Sequence, residues 1–295
     1  ESSDTHAMTD SVVADFTTDV MPDTAETSGP VTGRVVMSDK RVVIATKDLR
    51  RSIPIERIFD LAYGSAPSEL RRFFETTVSL AYECDGERRV ALIEGADETV
   101  NRFIDLLFKA ILNGSDVVVT HPARVGGRVT DSENRPMTIH LRPRSVLFTG
   151  NEAFSIDISV VNQFERVERK IRDSTKPVLS VQHMPDSQTL TTEIFLASNR
   201  KMNVLGRFLR LEYSKIQEEL SDIEIGDQEV EALVGLYSGG DDASLAGILG
   251  IESNRTTMII NSLLEKGLVE EDEAGISLSP LGKSAVSNRI EQVNF

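Results

Sequence analysis

The chain has 295 residues and a formal net charge of −15, so we expect a soluble protein of two or three compact domains. So acidic a chain argues against broad binding to nucleic acid or to anionic membranes. No apolar run approaches the roughly 20 residues needed to cross a bilayer, and no secretory signal opens the chain, which predicts a cytoplasmic protein without membrane insertion.

The first 115 residues read as a polar segment, a small sheet and a helix. Residues 1–30 are rich in Thr, Asp and Ser, which predicts a largely flexible segment in which "SVVADF" (11–16) is a candidate edge strand. From Val31 onwards, short apolar runs alternate with turn signals, as in an antiparallel sheet. The run "ADETVNRFIDLLFKAILNG" (96–114) then has apolar residues at helical spacing. Residues 31–115 are therefore predicted to form the first domain.

The same order of elements occurs a second time. Residues 41–61 align with residues 144–164 without a gap, at a shift of 103. The identical pairs are Arg41/Arg144, Val43/Val146, Thr46/Thr149, Ser52/Ser155, Ile53/Ile156 and Ile55/Ile158. The second copy also ends in a predicted helix, "NRKMNVLGRFLRLEYSKIQEEL" (199–220). Chance similarity between two β-rich stretches is the alternative, but the repeated closing helix favours an internal duplication.

A sheet of about seven short strands followed by one helix resembles the pleckstrin-homology-like fold, in which the helix closes a partly open barrel. We therefore predict an α+β chain with two tandem pleckstrin-homology-like barrel or sandwich domains, over residues 31–115 and 116–221. Such a fold does not define a function by itself.

The tail, residues 222–295, has the pattern of a winged helix-turn-helix domain. Three predicted helices precede "LLEKGLVEEDEAGISLSPLGKSAV" (263–286), which reads as a helix end, a two-stranded wing and a helix start. A DNA-binding domain of this kind needs cations for the phosphates. Fourteen acidic residues oppose four cations here: Arg255, Lys266, Lys283 and Arg289. DNA binding is therefore disfavoured, and docking to protein is the better interpretation.

Arginines cluster in the two predicted barrel domains instead. The candidate partner-binding residues are Arg50, Arg51, Arg57, Arg71, Arg72, Arg166, Arg169 and Arg172. Bidentate bonds from arginine to carboxylates would suit an acidic protein partner. The alternative is a solvated surface, with the arginine stems lying over apolar side chains.

Few residues suit catalysis or metal binding. The single cysteine, Cys84, excludes a disulfide within the chain, and the histidines are scattered: His6, His121, His140 and His183. The sequence contains no Gly-x-Ser-x-Gly elbow, no His-Glu-x-x-His pair and no phosphate-binding loop. We therefore expect no cofactor, no metal site, no catalytic residues and no enzyme activity.

With the duplicated strand module and the acidic tail in view, the chain resembles the archaeal taxis protein family CheF. The resemblance extends from "SVVADF" through "GPVTGRVVMSDKRVVIATKDLRRSIPIERIFDL" (29–61) to the tail segment 263–286. A strongly acidic composition with nine lysines among 32 cationic residues also resembles the proteins of salt-accumulating archaea. No short motif anchors the likeness; the order of the segments does.

The resemblance implies an adaptor of chemotaxis or phototaxis. It would link a phosphorylated CheY-like response regulator, together with CheC/CheD-type taxis proteins, to the switch proteins of the archaellum motor, where it would lie at the periphery through protein contacts. The alternative is a winged-helix transcription regulator whose β domains sense a ligand. Binding of duplex DNA by the tail would separate the two.

Overall fold

A computed structural model describes residues 11–26, 29–65, 71, 74–171, 174–185, 188–238, 247, 250, 252–272 and 275–293. The chain is α+β, with antiparallel sheets and five helices in the described residues. It divides into two compact units, Glu1–Ser115 with Ser198–Phe208, and Asp116–Ala197 with Leu209–Phe295. The domain limits drawn from the sequence stay predictions.

The first unit contains a seven-stranded sheet. Its strands are β1 (Val12–Met21), β2 (Val31–Ser38), β3 (Arg41–Ala45), β4 (Arg50–Pro54), β5 (Ile58–Ser65), β6 (Thr76–Cys84) and β7 (Glu87–Glu94). Their order across the sheet is β4-β3-β2-β1-β7-β6-β5. Two meanders, β1–β4 and β5–β7, are therefore joined where the first strand pairs with the last.

Strand β1 corrects the prediction for residues 11–16. A strand is present, but it lies inside the sheet between β2 and β7 and not at an edge. It is also longer than predicted, because it continues beyond the polar stretch to Val20 and Met21, which are buried in the core. The Thr18 hydroxyl donates to the Glu94 carbonyl at 2.8 Å, so this polar stretch is hydrogen-bonded within the sheet.

Helix α1 (Glu98–Leu112) follows the first sheet and confirms the predicted helix. Asp97 caps it, since its carboxylate accepts a hydrogen bond from the Val100 amide at 2.9 Å. One face of the helix is buried: Val100, Phe103, Ile104, Leu107, Phe108, Ile111 and Leu112. This face contacts β1 and a 3-10 turn, Ile55–Arg57, between β4 and β5.

The second unit repeats the topology of the first. Its strands are β8 (Ser115–Val125), β9 (Arg128–Val129), β10 (Arg135–Arg142), β11 (Ser145–Thr149), β12 (Phe154–Asp157), β13 (Val161–Ile171), β14 (Ser174–His183) and β15 (Leu190–Phe195). The order is β12-β11-β10-β8-β15-β14-β13, with β9 paired to β8. A 3-10 turn, Ile158–Val160, again follows the fourth strand of the module, and helix α2 (Asn199–Ser221) follows the last. The predicted repeat is therefore confirmed at the level of strand order.

Strand pairing corrects the alignment of the repeat by one residue in its first part. Val42 lies opposite Ile53 in the first sheet, and Val146 lies opposite Ile156 in the second. The isoleucines match at the predicted shift of 103, so Val42, not Val43, is the counterpart of Val146. The pairs Arg41/Arg144 and Thr46/Thr149 are displaced in the same way. The physical reason is that β3 matches β11 at a shift of 104 and β4 matches β12 at a shift of 103, so the offset lies in the turn between the two strands.

The tail contains α3 (Asp227–Tyr237), α4 (Ser253–Glu265), the hairpin β16 (Val269–Asp272) and β17 (Gly275–Leu278), and α5 (Pro280–Val293). The predicted helix over 242–250 falls largely outside the described residues. Helix α3 packs against both α4 and α5. Gly282 allows α5 to approach the hairpin closely, since a Cβ at this position would lie 1.9 Å from the Leu268 carbonyl oxygen. None of the helices in the described residues is long and apolar enough to span a membrane.

Candidate interaction surfaces

The candidate arginines of the first unit do not form one surface. Arg50 and Arg51 are neighbours in β4, the strand at one end of the sheet order, so their side chains point to opposite faces. Arg50 is exposed. Arg57 ends the 3-10 turn and lies 3.9 Å from Glu83 with 56% of its side chain exposed. Arg71 is exposed, and Arg72 lies outside the described residues.

Arg51 is engaged in an ion cluster, which we define as Asp23, Glu26, Arg51 and Arg89. The Arg51 guanidinium donates to Glu26 at 2.8 Å and lies 3.5 Å from Asp23. Arg89 of β7 donates to both of these carboxylates, and these bonds raise the pKa of Arg89 above its usual range. Asp23 is fully buried. Two cations and two carboxylates therefore balance each other's charge, although the buried Nε atoms of Arg51 and Arg89 have no hydrogen-bond partner in the described residues, and the cluster holds Arg51 inside the unit.

Sequence reasoning missed Arg89 and the role of Asp23. Both residues lie in segments with obvious local explanations, Arg89 in a strand and Asp23 in a Pro-Asp turn signal. Only the pairing of β1 with β7 brings their side chains together, and no spacing in the sequence encodes that contact.

Two arginines of α2 were also missed, although the sequence carries a signal for them. Arg200 donates to the Ile55 and Ile58 carbonyls at 2.9 and 2.7 Å. Arg207 makes a bidentate salt bridge with Asp60, in which both N–O distances are 2.9 Å. The two arginines are seven residues apart, so they share one helix face. This polar stripe could have been read beside the apolar one.

The candidate arginines of the second unit lie in β13, at the other end of that sheet's order. Arg166 is exposed, whereas Arg169 donates to Glu193 at 2.6 Å. A spacing of three residues places the two side chains on opposite faces of the strand. Arg169 also lines a cavity of about 420 Å³ together with Arg124 and Lys170. Arg172 lies outside the described residues.

Two histidines of the second unit, the buried His183 and the half-buried His121, share one hydrogen-bond partner. The Thr192 hydroxyl is within hydrogen-bond distance of His121 Nδ1 (2.7 Å) and His183 Nε2 (3.0 Å). His121 stacks on Phe154 with ring centroids 4.0 Å apart. Burial lowers the pKa of His121, and burial with the neighbouring His121 lowers the pKa of His183 to about 4. Both rings are therefore neutral near pH 7 and serve the core, not a surface.

Two cations of the tail, Lys266 and Arg255, make hydrogen bonds within the tail. Lys266 donates to both carboxylate oxygens of Glu229 at 2.7 Å and to the Glu224 carbonyl at 2.8 Å. Arg255 donates to the side-chain oxygen of Gln228 at 2.9 Å. Burial acts to raise the pKa of Glu229, but hydrogen bonds from Lys266, Ser262 and the Gly226 amide hold it below its usual range.

The described surface around helix α4 and the hairpin β16–β17 is acidic. Glu265, Glu270 and Glu271 are exposed there, and Met258 on the outer face of α4 is 71% exposed. A polyanion would meet these carboxylates, whereas Lys266 is paired with Glu229 and the exposed Arg255 is hydrogen-bonded to Gln228. The arrangement suits an apolar contact with an acidic rim, which is typical of protein docking.

Comparison with known proteins gives the family that the chain resembles. Residues 12–215 match the family described as archaeal chemotaxis signal transduction system protein F, CheF-arch. The chain is 48% identical over 288 residues to "Taxis protein CheF2" of Halobacterium salinarum, covering 98% of this chain and 100% of that protein. It is 25% identical over 264 residues to "Taxis protein CheF1" of the same organism, covering 88% and 89%.

The chain thus belongs to the CheF family of archaeal chemotaxis signal transduction proteins. The resemblance seen in the sequence is confirmed, and membership supports a role in chemotaxis. The partners and the residues that contact them are a separate question, to which the geometry above is relevant.

Proposed function

We propose that this protein is a non-enzymatic adaptor that links a phosphorylated CheY-like response regulator, with CheC/CheD-type taxis proteins, to the switch proteins of the archaellum motor. Family membership is the observation that carries the proposal. In it, the two sheets with one strand order act as pleckstrin-homology-like platforms, and the tail acts as a winged helix that docks to protein.

The charge distribution supports separate surfaces for separate partners. Exposed arginines lie on the sheets or beside them, at Arg50 and in the 3-10 turn at Arg57 in the first unit and at Arg166 in the second, whereas the described face of the tail around Glu270 and Glu271 is acidic. An acidic partner suits the former and a basic partner the latter. Binding of the phosphorylated regulator on one surface would then change the free energy of contact on another, which is what coupling requires.

The test is capture of purified partners on the tagged full-length chain, with and without phosphorylation of the regulator. We expect capture to increase on phosphorylation. Exchange of Arg50 and Arg57 for serine should weaken the capture of one partner, and exchange of Arg71 and Arg72 should add to the loss. A matched control exchanges Arg34 and Arg88, which are exposed arginines of the same sheet.

Arg51 is left out of this set because it belongs to the ion cluster. The candidates of the second unit, Arg166 and Arg172, are exchanged separately, with Arg169 retained for its bond to Glu193. Equal capture by the arginine variants and the control would remove the proposed surfaces. Absence of any capture by the unchanged chain would remove the adaptor role itself.

A transcription regulator is the rival function, and the tail argues against it. Its proposed recognition helix offers Arg255 and Lys266, which bond within the tail to Gln228 and Glu229. A mobility-shift experiment on genomic fragments at low and at molar salt separates the two functions. Sequence-selective retention of duplex in both salts would favour the regulator.

A further inference from the structure

The first sheet carries a small apolar cluster that the chain covers with a ring of its own. Met21 of β1 pairs with Leu92 of β7, on the face opposite the core residues Val20 and Ile93. Phe74, which precedes β6, packs with Met21 and Leu92, and all three side chains are buried. The first unit therefore closes this place with an aromatic side chain from the segment between β5 and β6.

The second sheet has polar residues at the same place. Leu92 of β7 and Glu193 of β15 match at a shift of 101, which is also the shift between the first residues of α1 and α2. The neighbouring strands β6 and β14 are related by this shift as well. Leu92 pairs with Met21, and Glu193 pairs with Thr120 of β8. A carboxylate and a hydroxyl therefore replace two apolar side chains.

The second unit cannot supply a covering ring in the way that the first does. Residues 66–75 join β5 to β6 and include Phe74. Residues 172–173 alone join β13 to β14, because these strands pair as far as Ile171 and Ser174. A two-residue connection continues the hairpin and is too short to fold back over the sheet. No counterpart of Phe74 can come from it.

A cavity of about 420 Å³ lies at this place in the second unit. Both Thr120 and Glu193 line it, together with three apolar residues of the sheet: Val118, Val178 and Phe195. Val129 of β9 also lines the cavity, and it is 77% exposed. The cavity therefore offers apolar surface to a side chain that enters from outside.

The charged residues of the lining are mainly cationic. Three cations and one acid belong to it, in a chain of net charge −15: Arg124, Arg169, Lys170 and Glu193. Arg169 donates to Glu193 at 2.6 Å. Neither Arg124 nor Lys170 makes a side-chain hydrogen bond or an ion pair within the described residues. These two cations are therefore available to carboxylates from outside.

We propose that this cavity binds an aromatic side chain of a partner protein, flanked by carboxylates that pair with Arg124 and Lys170. Phe74 of the first unit is the precedent for a ring at this place, and the two cations select the charge of its neighbours. Burial of a ring is not screened by salt as an ion pair is. The inference rests on the adaptor role, and it names the chemistry that one partner must bring.

The direct test uses three labelled pentapeptides, each titrated with the full-length chain and followed by fluorescence anisotropy. The first is Glu-Asp-Phe-Asp-Glu, the second has alanine in place of phenylalanine, and the third is the neutral Gln-Asn-Phe-Asn-Gln. We expect saturable binding of the first and about tenfold weaker binding of each of the others, because one loses ring burial and the other loses the charge-assisted contacts.

Variants of the chain locate the binding. Exchange of Arg124 and Lys170 for glutamine should weaken binding of the acidic aromatic peptide about tenfold and leave the neutral one unchanged. Val118→Phe fills the cavity from within and should abolish binding of both aromatic peptides. The control variant exchanges Arg142 and Lys47, exposed cations that do not line the cavity, and should bind unchanged. Hydrogen exchange of the β14 and β15 amides checks the fold of each variant, and the double variant decides the matter if Val118→Phe disturbs the sheet.

Three results would overturn the inference: no saturable binding, equal binding of the phenylalanine and alanine peptides, or an equal loss in the control variant. Inorganic sulfate is titrated as a competitor, and complete displacement at low concentration would assign the cavity to a small anion instead. Self-association of the chain that Val118→Phe removes, measured by sedimentation, would assign the cavity to a second copy and likewise reject the proposed partner.

Partner capture by the same variants separates this inference from the adaptor role. If the unchanged chain captures partners but the acidic aromatic peptide does not bind, the cavity inference fails alone. If the peptide binds at Arg124 and Lys170 but no partner is captured, the adaptor proposal fails and the site for an aromatic side chain remains. Loss of one partner in the double variant, with the other partner retained, is the result that we expect.

Discussion

The two sheets have the same strand order, yet they satisfy their buried polar groups in opposite ways. The first buries charge, in the cluster of Asp23 with Arg51 and Arg89. The second contains neutral rings, the buried His183 and the half-buried His121, in contact with Thr192. A duplicated fold therefore fixes strand order but not core chemistry, since each interior needs only that its polar groups find partners. The two solutions should respond differently to mutation and to acid.

Breaking the ion cluster should give the largest effect. We expect Asp23→Asn to destabilise the first unit by about 3–5 kcal/mol, because a buried carboxylate is removed and its cations lose their partner. Hydrogen exchange of the β6 and β7 amides measures the loss in this unit alone. Amides of β14 and β15 in the second unit provide the internal reference.

A control within the same sheet sharpens this result. Asp15 pairs with Arg34 at the surface, where both side chains are largely exposed, so Asp15→Asn should change exchange far less. Similar losses of protection for the Asp15 and Asp23 substitutions would mean that the buried cluster stabilises the unit no more than an exposed ion pair does. The reasoning about buried charge would then be wrong.

Mild acid should destabilise the second unit more than the first, the reverse of the effect of Asp23→Asn. The pKa of His183 is lowered from 6.5 to about 4, chiefly by burial. Its contribution to the free energy of unfolding is therefore fully present above pH 6.5 and is lost as the pH falls towards 4. The loss should be on the order of 3 kcal/mol. His121, whose pKa is also lowered, acts in the same direction.

The measurement compares hydrogen exchange in β14 and β15 between pH 7 and pH 4, in the unchanged chain and in His183→Gln. Carboxylates titrate in the same window, so the difference between the two chains isolates the ring. The described residues of the first unit contain no histidine, and its sheet should show no such difference. Equal pH dependence in both chains would contradict the assignment.

The sequence predicted the repeated elements and missed the contacts between residues that are distant in the chain. Strand runs, the helix over Glu98–Leu112 and the order of the two modules follow from local periodicity, which is preserved even where the register slips by one residue. The slip itself escaped because valine occupies both Val42 and Val43, and because the identities Arg41/Arg144 and Thr46/Thr149 favoured the displaced register. Hydrophobic pattern sets the face of a strand, and pairing sets its partner.

The interior contacts were beyond prediction for a related reason. Asp23 and Arg89 are 66 residues apart, and His121 and Thr192 are 71 apart. Each pair meets only because the first and last strands of a module are neighbours. Among the candidate arginines, the ion pairs of Arg51 could not be seen in the sequence, because an exposed and a half-buried arginine are adjacent and alike in β4.

The smallest effects should come from one exposed ion pair in each unit. Asp60 bonds Arg207 in the first, and Glu219 bonds Arg144 in the second, with between a third and a half of each carboxylate side chain exposed. We expect Asp60→Asn and Glu219→Gln each to cost less than about 1 kcal/mol in the exchange of their own unit, since solvent screens such pairs. Added salt should reduce both effects further. A large loss of stability from either substitution would mean that surface ion pairs account for the difference in stability between the units. Two small and similar losses would leave that difference in the interiors, where the ion cluster of the first unit and the neutral rings of the second both satisfy polar groups.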